Sequence, residues 1–465
     1  MAGSIPTELG VKPINQLIRQ YAVPGIIAMT ASSLYNMVDR IYIGHIADVG
    51  SLAISGLAVT FPLMNISTAF GTLVGVGAAT MISVLLGQKN YAVANKVLSN
   101  EVTLNILTGI IFTVVTLLWM DPILRFFGAS DATLPYARDY MTIIACGNAV
   151  THLYFGLNSV IRSSGNPKTA MGLTLFTVTS NAILDPVFIF GFKMGIRGAA
   201  VATVLCQLMA LGYTLWFFLD QKKFLHLPRG RKIFRIDWRI AKDSLAIGMG
   251  PFLMNLASCI VVLFINQQLV KWGGDLALGA YGIVNSISFL FVMVIMGFNQ
   301  GMQPIAGYNY GARQFARVRE VYVKTAGWAT LVCIIGFIVA EVFPRTAVSL
   351  FTPDPVLEDL AARGFRIMSL AFPIIGFQMV TTNLFQCLGM VPKSIFLSLS
   401  RQLLFLLPCI YILPAVLQSE AGVWYSFPIS DTIAAIITAL FGVGLLRKLG
   451  RLKDGDDPAI LGSKI

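Results

Sequence analysis

Twelve runs of about twenty or more predominantly apolar residues, separated by short intervals that hold nearly all the charge, leave this chain one environment in which to fold. A helix of that length crosses the roughly 30 Å hydrocarbon core of a bilayer. The runs lie near 17–42, 52–84, 96–120, 134–158, 168–192, 197–220, 241–268, 276–307, 322–346, 362–386, 394–416 and 421–447. Only 12% of the 465 residues are charged and 56% are hydrophobic, with a mean hydropathy of +0.75. A soluble chain carries roughly 25% charged residues, so a cytosolic enzyme is excluded. The expectation is an all-α polytopic membrane protein.

Cys146, Cys206, Cys259, Cys333, Cys387 and Cys409 stand singly inside apolar segments, without a CxxC pair or a nearby histidine. They read as small hydrophobes, not as disulfides or zinc ligands. Residues 1–12 are polar and the first apolar run is long, so no cleaved signal peptide is expected. No nucleophile–base pair, metal cluster, phosphate-binding loop or sizeable extramembrane domain suggests an embedded enzyme or receptor.

Lysine and arginine orient the spans, since positive loops stay in the cytoplasm. With the N-terminus inside, 25 basic residues fall on the cytoplasmic side and 8 outside, with Arg40 left within a span. Arg401 is counted among the 25, and eight of them crowd into 222–242. Both termini are therefore expected in the cytoplasm, and the net charge of +12 follows from topology with no nucleic-acid partner.

The chain repeats itself. A shift of 224 pairs Gly77 with Gly301, Gly87 with Gly311, Lys89 with Arg313, Phe127 with Phe351, Gly165 with Gly389 and Gly198 with Gly422. Six helices are thus duplicated in the same orientation, a transporter pattern in which two pseudo-symmetric lobes flank a cavity and rock about it. The expected divisions are a first six-helix lobe at 1–220, a basic cytoplasmic linker at 221–242 and a second lobe with its tail at 243–465.

A charge deep in a span costs at least ~2.5 kcal/mol, so each one invites a function. Asp39 lies near the outer end of the first segment, and Asp185 lies in the outer half of the fifth, one turn beyond Asn181 on the same face. Thr203 is about 9 Å into the sixth segment, at a similar depth. Two carboxylates, an amide and a hydroxyl at one level make a set of hard oxygen ligands for a cation. A competing reading pairs Asp39 with Arg40 and has Asp185 cap a kink at Pro186. In the second repeat Asn266 and Leu407 replace the two acids, which confines cation chemistry to the first lobe. Asp431 aligns with neutral Gln207, and a structural bond suits it as well as titration. His152 reads as a satisfied packing residue. Pro24 interrupts the first helix and serves as a candidate hinge. Phe61, Met293, Met296, Gln300 and Gln303 are candidate cavity residues, where an apolar, methionine-rich wall with few acids favours delocalised cations.

N-M-V-D-R-I-Y-I-G at 36–44, G-x-G-A-A-T at 75–80, S-S-G-N-P-K at 163–168, N-A-I-L-D-P at 181–186 and G-A-A-V-A-T at 198–203 occur in this order. Together they resemble the multidrug and toxic compound extrusion (MATE) family. The resemblance implies a V-shaped pair of six-helix lobes that exports diverse, mostly cationic amphipathic drugs through the cytoplasmic (inner) membrane in exchange for H⁺ or Na⁺, as a monomer and without a cofactor. The family's first-lobe cation site falls on Asp39, Asn181, Asp185 and Thr203, with Tyr140 matching a tyrosine of that site. The segments 255–259 and 381–388 lack the second-lobe acids of NorM-like members, so the chain is similar to the DinF-like branch. A lipid-linked saccharide flippase of the same superfamily is the alternative, disfavoured by twelve spans and few basic cavity residues.

Overall fold

The structure, a computed structural model, describes residues 8–46 and 50–457. Among them there are helices and loops and no strands. Twelve long segments follow in order: α1 Ile14–Gly44, α2 Gly50–Gly87, α3 Tyr91–Leu118, α4 Leu134–Ser163, α5 Pro167–Pro186, α6 Ile196–Leu219, α7 and α8 within Trp238–Gly311, α9 Phe315–Val342, α10, α11 and α12 Ala421–Arg451. The segment α10 is broken, Pro355–Ser369 and Phe372–Cys387 meeting at 53°. Seven single helices and the 238–311 helix carry apolar windows long enough to span a bilayer, whereas α1 and α4 are as long but more polar.

Three departures from regular helix have local causes. Helices α7 and α8 join without a loop at Gly274, whose φ of 66° an L side chain rarely tolerates. Past Pro186, which has no N–H to donate, α5 widens into a π turn at Val187–Gly191. A second π stretch, Ser400–Leu406, interrupts α11 between Val391–Leu399 and Leu407–Leu417.

The duplication is written into the backbone. Lys89 and Arg313 both adopt left-handed φ, at 60° and 57°, and Gly165 and Gly389 do so at 94° and 68°. Trp119 and Phe343 end α3 and α9 with nearly the same dihedrals, each followed by a short helix, Met120–Phe126 or Pro344–Ser349.

Two compact units form. One contains Ile27–Phe252; the other contains Lys12–Ile26 and the chain from Leu253 onward. The divisions thus fall inside α1 and α7, and the 221–242 segment expected to link two lobes lies within the first unit. The reason is glycine. In the second unit Gly297 and Gly301 of α8 let the backbone of Ala22 and Ile26 approach so closely that an added methyl group would sit 2.5–2.6 Å from it. In the first unit Gly77 and Gly248 do the same for contacts between α2 and the start of α7, with Ser244 and Leu73.

The first unit is built on Ile43, Leu57, Tyr140, Ile144, Ile189 and Ile196, and the second on Val261, Leu269, Val284, Phe365, Ile410 and Trp424. Outward faces stay apolar: Ile110, Ile111, Val114 and Leu118 on α3, and Ile436, Leu440 and Val443 on α12, are exposed at helical spacing. Such stripes belong against lipid. The 3₁₀ turn Gly230–Phe234 and its flanks are clasped to α3, which explains why the basic segment stays with this unit. Asn95 Nδ2 donates to the Phe224 carbonyl and Asn95 Oδ1 accepts from His226 N. Asn100 exchanges two bonds with the Asp237 backbone, and Thr103 donates to the Ile233 carbonyl.

Candidate cation site and its relatives

Helices α1, α5 and α6 of the first unit bring four expected cation ligands together. Asp39, Asn181, Asp185 and Thr203 are all buried, Asp185 completely. Asn181 Nδ2 donates to Thr203 Oγ1 over 3.2 Å, which ties α5 to α6. The alignment depends on Gly198, where α6 passes so near the π turn that an added methyl group would lie 2.7 Å from the Phe188 carbonyl carbon.

Asp185 faces Asp39 and Asn181. Neither Asp185 oxygen, nor Asn181 Oδ1, meets a hydrogen-bond donor. Two ionised carboxylates turned toward each other repel, and each offers only acceptors. The side chain of Arg40 lies outside the described residues, and Pro186 opens the π turn immediately beyond Asp185.

A tyrosine the sequence did not single out joins this group. Tyr35, one turn before Asp39 on α1, has its hydroxyl 3.1 Å from Thr203 Oγ1 and interacts electrostatically with both acids. Tyr140 is buried in the apolar cluster with Ile144, Ile189 and Ile196.

The remaining candidates are dispersed. Phe61 is exposed on α2; Met293, Met296 and Gln300 are half-buried and Gln303 is buried, all on α8 of the second unit. The spacing of Met293, Met296 and Gln300 puts them on one face. Pro24 is buried in α1, two residues before the chain changes units. His152 is fully buried and bonded, Nε2 lying 3.0 Å from Ser67 Oγ. The six cysteines are free thiols.

Arg401 requires a correction. It is not in a cytoplasmic loop but in the π stretch of α11, where its Nε lies 3.0 Å from Asp431 Oδ1. Removing it from the count leaves the charge asymmetry intact. It also gives Asp431 a cationic partner, so where the first unit has two facing acids the second has an ion pair.

The sequence profile named MatE matches residues 24–187 and 246–412, one stretch in each repeat. The chain belongs to the MatE family. Among curated proteins, this MatE protein is similar to the Multidrug export protein MepA of Staphylococcus aureus strain N315, 26% identical over 435 residues covering 94% of both chains. MepA of Staphylococcus haemolyticus strain JCSC1435 is 27% identical over 436 residues, 93% of this chain and 94% of that one. A solved structure described as the outward-facing conformation of a multidrug resistance MATE family transporter superposes with a TM-score of 0.89 at 22% identity, over 97% of this chain and all of that one. The MatE protein is accordingly a multi-pass membrane transporter with a twelve-helix fold, and not an enzyme.

Proposed function

We propose that this MatE transporter is a cation-coupled antiporter that expels cationic, amphipathic drug-like compounds across the cytoplasmic membrane in exchange for H⁺ or Na⁺, with both termini in the cytoplasm. The observation that carries the reading is the pair of buried carboxylates, Asp39 on α1 and Asp185 on α5, which face each other. Two anions in a low-dielectric pocket repel, so the empty pair is the costly state. A proton or Na⁺ relieves the repulsion at the same atoms, and the two ions therefore compete.

Coupling then needs two arrangements of the site with different ion affinity. Helix α1 is the element suited to supply them. It carries Asp39 and Tyr35, and Pro24 leaves one of its backbone carbonyls without the usual N–H partner. Ion binding draws Asp39 toward Asp185, Asn181 and Thr203; ion release lets α1 relax about Pro24. Among the described residues the second unit has no such pair, and Arg401 already neutralises Asp431 there.

Dye efflux measured in everted vesicles under an imposed Na⁺ gradient, and separately under an imposed pH gradient, tests the proposal. At least one gradient should drive efflux and the other ion should inhibit it. Efflux driven by neither gradient, or by neutral and anionic compounds alone, would overturn it.

A further inference from the structure

Helix α3 buries a carboxyl group that the cation site does not use. Glu101 is 1% exposed and Asn105, one turn on, is fully buried. Asn105 Nδ2 donates to Glu101 Oε1 over a short 2.6 Å. Each group has one further polar atom, Glu101 Oε2 and Asn105 Oδ1. Both are acceptors, both are buried, and neither has a donor.

The surroundings place no counter-charge on Glu101. Helix α2 has no charged residue between Gly50 and Gly87; on α4, His152 is engaged with Ser67, the Tyr154 hydroxyl meets Thr177, and Arg162 interacts with Tyr154. The linker presents Asp237 through its backbone, and Arg239, Lys242 and Asp243 follow on α7. Among the described residues, the only side chain acting on Glu101 is Asn105. The space itself is shaped by glycine. Gly75 of α2 and Gly156 of α4 meet backbone to backbone, and a methyl group added at Gly156 would collide with Glu101 Oε1 and Asn105 Nδ2. The α2–α3–α4 junction is thus a cradle sized for one carboxyl–amide pair.

The geometry points to a second, separate proton-binding site at Glu101, in which a proton on Oε2 is donated to Asn105 Oδ1. One proton satisfies both orphaned acceptors and closes a carboxylic acid–amide ring of two hydrogen bonds. An ionised Glu101 would instead be a buried anion without a counter-charge, a state proteins avoid at large cost. Losing the proton must therefore wet or open the α2–α3–α4 contact, beside the place where α3 holds the linker through Asn100 and Thr103. The site stands on its own geometry and does not depend on H⁺ rather than Na⁺ being the coupling ion.

Glu101→Gln is the informative variant, because the amide reproduces the ring with Asn105 and carries no titratable proton. Infrared spectra of the purified full-length protein in lipid nanodiscs should show a carboxylic-acid C=O band that Glu101→Gln removes and that Asp39→Asn with Asp185→Asn leaves in place. In an Asp39→Asn, Asp185→Asn background, thermal stability should fall as pH rises and the site empties, and adding Glu101→Gln should flatten it over the same range. If Glu101→Gln does not fold, Asn105→Leu serves: the band should move to higher frequency as the C=O loses its N–H donor. A spectrum from which neither variant removes or shifts a carboxylic-acid band overturns the site. Failure of both H⁺-driven and Na⁺-driven transport would count against the antiport reading and leave these bands unchanged.

Discussion

Adding one methyl group at Gly198 tests whether the helix packing sets the cation site. In Gly198→Ala the new carbon falls 2.7 Å from the Phe188 carbonyl carbon and 2.8 Å from Ile189 N. Both are backbone atoms of the π turn that follows Asp185, and Met194 N bonds the Phe188 carbonyl at 3.1 Å, so no side chain can swing aside. Ordinary contact begins at 3.4 Å, which requires α6 and the π turn to part by about 0.7 Å. Overpacking of this kind costs about 1–3 kcal/mol. Carried to the site, the same parting takes the 3.2 Å Asn181–Thr203 hydrogen bond to about 3.9 Å, beyond useful reach. Losing that bond removes about 0.5–1.5 kcal/mol from the arrangement that receives the ion, a roughly two- to tenfold change. The assay is the ion concentration giving half-maximal dye efflux from everted vesicles at matched expression, and it should rise by that factor. Gly172→Ala on α5 and Gly212→Ala on α6 add the same methyl into open space and should change nothing. An unchanged ion dependence in Gly198→Ala, or an equal shift in the controls, would refute the reasoning.

Three further outcomes are expected. Asp39→Asn and Asp185→Asn should each abolish ion-driven efflux while membrane insertion, measured by surface labelling, stays normal. Arg401→Met should lower thermal stability by about 3 kcal/mol, at the low end for a broken buried pair because Arg401 is partly exposed; the double variant with Asp431→Asn should recover most of it, and strict additivity would sink the ion pair's role. Pro24→Ala should slow efflux more than it weakens ion binding measured by calorimetry, and equal losses in both would remove Pro24 as the moving part.

How much could be read from residues alone depended on whether the signal was local. The twelve spans were legible because each is a continuous apolar run, and the duplication because glycine spacing survives where side chains diverge. Asp39, Asn181, Asp185 and Thr203 were legible because acids and amides inside apolar runs are costly and their depths can be counted. Tyr35 was not, since a tyrosine in an apolar run has no burial cost to mark it and its role depends on Thr203, 168 residues away. Arg401 was counted with the cytoplasmic charges although it lies inside the 394–416 run, because its partner Asp431 is 30 residues away on another helix. Glu101 sits three residues after Leu98 in a helix that begins at Tyr91, five residues earlier than the apolar run, so the run's own boundary concealed how far inside it lies.

The crossing of the chain from one unit to the other inside α1 and α7 bears on ancestry and on reconstitution. Each unit needs the opening half of a helix that belongs to the other repeat: residues 12–26 complete the second, and the stretch from Trp238 to Phe252 completes the first. A single six-helix repeat would leave its own glycine groove on α2 without the helix start that fills it here. Splitting the gene within the linker should therefore yield two fragments that are each incomplete apart and recover a native pair when co-expressed.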